Sequence, residues 1–380
     1  MLDALVAGGG LAGLSSALAL AERGARVALL EREVIGRHAS TLNAGGVRRT
    51  HRHPAELPLA GAAFALWPVL SDRLGVDVRY RVTGHLQVAE NEAELARLTA
   101  RAAGVRALGF AHERMVDAAE ARRLAPALAP HILGALYGEA DGHADPHAVV
   151  AGYRDACEAA GVRMYEATAL LGLTREGDSW RAATAAGAMR ARWLVNCAGA
   201  WGAEVAAMAG DRLPVEPSAP MALLLPPLPR FVGPVIQCLT RRLSLKQLDD
   251  GRVMIGGGHR ARLPRPGAPE VLLEEAATNL ATARAILPGP MEAAEPARIW
   301  AGTDGYSQDG VAIIGASARV PGLLHACGLS GHGFAIGPAI GGVMADLAEG
   351  RTPAVDISGL DPGRFQGAGP VLAEAERNAG

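Results

Sequence analysis

Three glycines and one carboxylate have the types and spacing that bind phosphate and ribose. Gly8-x-Gly10-x-x-Gly13 follows an apolar run at 3–7 and precedes residues 11–23, where Ala and Leu recur at helical spacing. Residues 26–30 read as a second buried strand, and Gly24 stands where a C-cap glycine belongs. In such a βαβ unit Gly8 permits the tight turn, Gly10 lets a pyrophosphate approach the backbone, and Gly13 lets the helix lie close to the strand. Leu11 and Ala12 open that helix, whose N-terminus attracts phosphate charge. Glu31, with Arg32 beside it, ends the second strand about 20 residues on, where a carboxylate accepts hydrogen bonds from ribose hydroxyls. The pattern predicts a bound dinucleotide; its bland alternative is a Gly-rich turn with a structural Glu. It does not separate NAD from FAD.

No Ser/His/Asp set or metal cluster stands out elsewhere. Cys157, Cys197, Cys238 and Cys327 are scattered, with no CxxC pair and no His at ligand spacing, and read as buried small hydrophobes in a reducing compartment.

Other elements must position the rest of a dinucleotide. Short strands at 170–174, 180–184 and 188–190 precede the stretch 193–201, an apolar strand running into Ala198-Gly199, which suits a chain returning to the dinucleotide sheet. Small residues there let a cofactor pass close to the backbone. Residues 325–350 read as a strand end, a turn over Ser330-Gly331-His332-Gly333-Phe334 and a helix at 335–347 that closes at Gly350. Its start offers N–H groups and a positive dipole end.

A length of 380 residues predicts two intimately connected domains, and a net charge of -2 without a basic face excludes nucleic acid as a partner. The N-terminus lacks the basic start and long apolar stretch of a signal peptide, and the apolar segment 334–347 is short and broken by Gly and Pro. A cytoplasmic protein with no transmembrane segment is the expectation.

Several stretches together resemble the D-amino-acid oxidase and sarcosine oxidase family of FAD enzymes. They are the glycine unit, Val195-Asn196-Cys197-Ala198-Gly199-Ala200-Trp201, Cys327-Gly328-Leu329-Ser330-Gly331-His332-Gly333-Phe334, Ser40-Thr41-Leu42-Asn43-Ala44-Gly45-Gly46-Val47-Arg48-Arg49 and Ile299-Trp300-Ala301-Gly302. The chain looks most like the branch holding sarcosine oxidase β-type, proline and hydroxyproline dehydrogenase, and opine oxidase subunits.

The resemblance implies an α/β fold class with an α+β second domain: a glutathione-reductase-type FAD-binding domain, and a mostly antiparallel domain over the isoalloxazine ring. Residues 1–83, 140–213 and 298–380 are assigned to the first and 84–139 and 214–297 to the second. The second carries a hairpin, 243–248 and 252–255 around Asp249-Asp250-Gly251, and amphipathic helices at 92–103 and 270–287. The implied FAD contacts, beyond the N-terminal unit, are Ser40, Thr41, Asn43, Ala44, Gly45, Gly46, Ala198, Gly199, Trp201, Gly302, Gly328, Ser330, Gly331, His332, Gly333 and Phe334. The implied reaction is oxidation of a small amine or amino acid, a secondary amino acid in preference, with oxygen or partner electron-transfer subunits as acceptor.

Such chemistry asks little of side chains beyond substrate positioning. Arg48 and Arg49 are candidates for the cation that holds a substrate carboxylate, the alternative being solvated loop arginines. Lys246, in Ser244-Leu245-Lys246-Gln247, points to the ring or to water according to strand parity. His259, after Gly256-Gly257-Gly258, is the last candidate, against a structural role in its loop. His51 and His53 line an entrance or are exposed, and Trp201 and Trp300 also suit core packing.

Two departures from the family matter. Glycine-oxidase-like members carry an arginine shortly after the Trp-x-Gly unit, whereas Thr303-Asp304-Gly305 follows it here. The segment Gly142-His143-Ala144-Asp145-Pro146-His147 lacks an attachment pattern, so FAD is expected to be non-covalent. A non-catalytic FAD-binding subunit of a larger complex and a flavin monooxygenase are the rival readings.

Overall fold

The computed structural model describes residues 1–365, so the end of the third segment assigned to FAD binding, 366–380, lies outside the described residues. The first strand, β1 (Leu2–Ala7), pairs parallel with β2 (Val27–Leu30) on one side and with Gly187–Asn196 on the other. Helices and strands cover both faces of this sheet, which is why β1 and β2 are almost wholly apolar. Helix α1 (Leu11–Glu22) makes the crossover between them. The sheet order is Leu170–Glu176, Ser179–Thr184, Gly187–Asn196, β1, β2, Arg163–Tyr165. Leu323–Cys327 also pairs with Gly187–Asn196, and Ile313–Ala316 pairs with Leu323–Cys327. Strands expected separately at 188–190 and 193–197 are one ten-residue strand, because Arg190, Ala191 and Arg192 keep the pleat alternating as it passes from the meander into the parallel core.

The C-terminal helix, Gly333–Ala348, packs on α1 and begins two residues earlier than the sequence pattern suggested. Two glycines permit the approach: a Cβ on Gly341 would stand 2.2 Å from the Ser15 carbonyl oxygen, and one on Gly337 2.5 Å from Leu11 Cδ2. Ser15 Oγ also accepts a hydrogen bond from Gly341 N at 3.0 Å. The helix start therefore sits against the start of α1.

A second eight-stranded sheet runs in the order Arg298–Ala301, Met221–Leu225, Val253–Gly256, Ser244–Gln247, Val235–Cys238, His85–Ala89, Gly134–Gly138, Arg114–Asp117. All neighbours are antiparallel except Val235–Cys238 against His85–Ala89. The hairpin turn after Gln247 is pinned from its side chain, whose Nε2 donates to the carbonyls of Leu228, Pro229 and Gly251. Helix Glu92–Ala107 is capped by Asn91, which accepts from Glu94 N at 3.0 Å. Helix Leu273–Ile286 starts later than expected, since Glu270 is taken up by a bridge to Arg262. Each sheet has its own apolar core. No helix among the described residues is long and apolar enough to cross a membrane.

Candidate active site

One cavity of about 920 Å³ is walled by both sheets, running from Glu31 past Gly8–Ala12 to the start of the C-terminal helix and on to Arg48 and Gln87. At the Glu31 end the glycines do what their positions require. Gly8 has φ +110°, and a Cβ there would stand 2.3 Å from the Cys197 carbonyl oxygen. A Cβ on Gly13 would stand 1.9 Å from the Gly8 carbonyl oxygen, so Gly13 lies behind the cavity wall and sets the distance from helix to strand. Glu31 is fixed by backbone donors: Gly9 N at 2.8 Å to Oε2 and Glu33 N at 2.8 Å to Oε1. Glu31 borders the cavity. Ser40 Oγ accepts from Leu11 N at 2.9 Å, and Arg32 lies 4.7 Å over the Trp201 ring.

The middle of the cavity is shaped by two turns. Asn43 donates to the carbonyls of Ala39 and Ser40 and accepts from Gly45 N at 2.7 Å, which folds 43–46 back on itself. Ser330, at φ +52°, accepts from Ser307 N and donates to the Gly328 carbonyl, which exposes the N-terminus of the C-terminal helix to the cavity. His332 lies in this wall with Nδ1 3.1 Å from Glu56 Oε1, and burial holds its ring below the usual imidazole range despite Glu56. For the buried Glu56, burial favours protonation, but His332 and Arg52 hold the carboxyl down at about 2.

Of the expected cofactor residues, Gly8, Gly10, Leu11, Ala12, Glu31, Arg32, Ser40, Asn43, Ala44 and Gly46 border the cavity. So do Ala198, Gly199, Trp201, Gly302, Ser330, Gly331, His332, Gly333 and Phe334. Gly13, Thr41, Gly45 and Gly328 stand behind that wall: Thr41 donates to the Gly36 carbonyl, and a Cβ on Gly45 would stand 2.3 Å from the Ala144 carbonyl oxygen.

The four side chains expected to meet substrate are not together. Arg48 borders the cavity, donates through Nη1 to the Thr50 carbonyl at 2.5 Å, and is brought down to about 9 by burial and by Arg52. Arg49 is off the wall: its guanidinium lies 4.6 Å over Phe64 while its backbone N–H donates to Asp141 Oδ1. Ser244 borders the cavity and Leu245 joins the core, so Lys246 shares the side of Ser244; it is buried one layer back, with Nζ beside Gly45, and burial lowers it to about 7. His259 is also off the wall, because its ring turns to helix Leu273–Ile286, with Nδ1 2.6 Å from Glu275 Oε2. Trp300 packs on the 39–42 segment, donating through Nε1 to the Leu42 carbonyl at 2.9 Å.

Several polar wall residues were not expected from the sequence. Arg52 and Gln87 are 2% and 1% exposed, and Arg52 Nε, Arg52 Nη1 and Gln87 Oε1 have no hydrogen-bond partner. The spacing of Arg52 and Glu56 is the one local signal for Arg52; Gln87 has none. Asp304, in the stretch that follows the Trp-x-Gly unit here without an arginine, accepts from Gly305 N at 2.8 Å and Gly331 N at 2.9 Å, and burial raises it to about 6. Tyr306 lies beside it under the Arg260 guanidinium, 5.0 Å from the ring centre. Among the described residues no group of His, Cys, Asp and Glu could hold a metal ion.

The cavity thus offers a phosphate cradle, a fixed ribose acceptor, a helix N-terminus and a cationic far end, which fit a dinucleotide carrying a second ring system. The family described as FAD dependent oxidoreductase matches residues 3–347. Hydrogen cyanide synthase subunit HcnC of Pseudomonas aeruginosa is 29% identical over 96% of this chain and 96% of its own length. Sarcosine oxidase subunit beta of Rhodobacter capsulatus is 27% identical over 94% of this chain and 87% of its own. The crystal structure of glycine oxidase from Geobacillus kaustophilus superposes with a TM-score of 0.87 at 25% identity, covering 95% of this chain and 98% of that one.

Proposed function

We propose that this chain, which belongs to the FAD dependent oxidoreductase family, oxidises a small amino acid at a carbon bonded to its amine nitrogen, yielding an imine that water hydrolyses. The observation that carries this reading is the single cavity that joins the Glu31 and Gly8–Ala12 cradle to Arg48. FAD, when bound, supplies a hydride acceptor at N5.

The protein's own work is placement. Gly10, Leu11 and Ala12 receive the pyrophosphate, and Glu31 receives the ribose hydroxyls. The N–H of Gly333 and the positive end of the helix it opens stabilise negative charge on the pyrimidine edge of the ring. Arg48 forks a substrate carboxylate, and Lys246 sets the charge one layer behind the 43–46 turn. The sheet containing β1 is read as the FAD-binding part and the other sheet as the substrate part, which departs from the domain assignment from sequence at Arg298–Ala301, assigned there to FAD binding but an edge strand of the second sheet. Burial raises the Cys197 thiol at the cavity wall to about 12, which supports non-covalent FAD.

Secondary amino acids are the preferred class, supported by the similarity to a sarcosine oxidase subunit. That relative and HcnC are each one subunit of an enzyme, which supports a larger assembly that takes up the electrons. Anaerobic mixing of the yellow protein with sarcosine, proline and glycine tests the reading. Loss of the oxidised flavin absorbance with at least one of them is expected; a flavin that no amino acid or amine bleaches overturns it.

A further inference from the structure

We propose that the far end of the cavity is a subsite for a second anionic group, so that the preferred substrate is an amino acid carrying two carboxylates. The inference rests on the amino-acid oxidation proposed above and narrows it.

Arg48, His51, Arg52, Arg97 and Arg242 all border the cavity; Arg48 and Arg97 act on the His51 ring and Arg52 on Arg48, and Arg242 stands in the turn between Val235–Cys238, which pairs with the strand of Gln87, and Ser244–Gln247. Four acids border the cavity, and none is at that end. Glu31 is engaged by Gly9 and Glu33, Asp304 by Gly305 and Gly331, and Asp309 by Arg364, while Glu204 stands on the helix that follows Gly199–Trp201. Acids on the neighbouring segments are already used: Glu90 pairs with Arg241 and His131, Glu94 accepts from Thr240, and Glu113 pairs with Arg101. Arg97 and Arg242 are exposed and have no ion-pair partner among the described residues.

The inner part of the subsite holds buried groups whose hydrogen-bonding capacity is only partly met. Arg52 reaches Glu56 only at 3.7 Å, Glu56 is shared with His332, and two guanidinium nitrogens of Arg52 make no hydrogen bond. Beside it, burial and the charges of Arg101, Arg48 and Arg97 hold the His51 ring at about 3, so the imidazole adds no charge of its own. Guanidinium groups crowded around a partly desolvated space repel one another; Glu56 and Asp141 offset this for Arg48 and Arg52 only in part, and a bound carboxylate relieves the rest while forming forked hydrogen bonds. One α-carboxylate satisfies Arg48 and leaves two nitrogens of Arg52 without a hydrogen bond and Arg97 and Arg242 without an ion-pair partner among the described residues. A second carboxylate, whether on the nitrogen substituent or on the side chain, meets that surplus.

Two titrations of the FAD-loaded protein at low ionic strength test this. The first uses acids that cannot be oxidised, succinate and glutarate against butyrate, read by perturbation of the flavin spectrum. A dicarboxylate preference of about tenfold or more is expected, and in the Arg97→Gln/Arg242→Gln variant the ratio falls toward one. The second compares anaerobic flavin reduction by N-carboxymethylglycine with sarcosine, and by glutamate with alanine; the pair showing the larger preference locates the second carboxylate. Equal binding of succinate and butyrate, or a preference that survives in the variant, overturns the proposal. Preferential dicarboxylate binding with no reduction by any amino acid upholds the subsite and overturns the oxidation reading instead.

Discussion

Lys246 is an ammonium group in a place built for an amine. Burial brings it from 10.5 to about 7, and Asp145 offsets this only in part. Between those two pH values the unfolded chain binds a proton that the folded chain does not, so this residue makes stability rise with pH across the window. Below about pH 7 its full penalty is present. Lys246→Met removes it, and the variant is expected to be more stable by a few kcal/mol at pH 7, since each tenfold loss of proton affinity corresponds to about 1.4 kcal/mol. The advantage fades toward pH 10. Thermal unfolding of both proteins at the two pH values measures this; an advantage independent of pH would assign the gain to packing alone. Arg48 gives the opposite case, a charge whose geometry matters. Arg48→Lys keeps the charge and loses the fork, so kcat/KM is expected to fall about 10²-fold, roughly 2–3 kcal/mol, mostly through KM in steady-state kinetics.

At the scale of elements, the two glycines between α1 and the C-terminal helix fix where the turn at 330–333 meets the cavity. Gly341→Val drives a side chain into the Ser15 carbonyl, 2.2 Å from where its Cβ must lie, while Gly342→Ala meets open space. The first is expected to cost about 1–3 kcal/mol by overpacking and to lower FAD content on purification, and the second to be near neutral. Equal FAD content and equal melting temperatures would show that the helix contact does not position the turn. This contact also marks what the sequence can disclose. Gly8, Gly10, Gly13 and Glu31 were readable because one βαβ unit brings them together locally. Arg52 and Gln87 were not, because a parallel pairing between Val235–Cys238 and His85–Ala89, distant in sequence, closes the wall they share. Arg49 and His259 looked equivalent to Arg48 and Lys246 in sequence; only the packing of Phe64 and Glu275 turned them away.

At the scale of the whole molecule, the two largest apolar cores among the described residues belong to different sheets, and one cavity lies between those sheets. A ligand spanning that cavity binds the folded chain alone, so it stabilises by RT ln(1 + [L]/Kd), about 2.7 kcal/mol at a hundredfold excess over Kd. FAD is therefore expected to raise the melting temperature of the apoprotein by several degrees, increasing with FAD concentration. ADP provides the informative comparison. It can occupy the Glu31 and Gly8–Ala12 end but has no ring to reach His332, Gly333 or Arg48. At equal multiples of their own Kd the two ligands give equal shifts by mass action, so the measurement must use equal total concentrations, where the larger shift reports the tighter ligand. FAD should exceed ADP by the contacts made beyond the cradle, and the excess should shrink in Gly341→Val, whose helix start is displaced. If ADP matches FAD in the unaltered protein, the far half of the cavity contributes nothing to cofactor binding, and the Ser330–Phe334 turn loses its assigned place beside the ring.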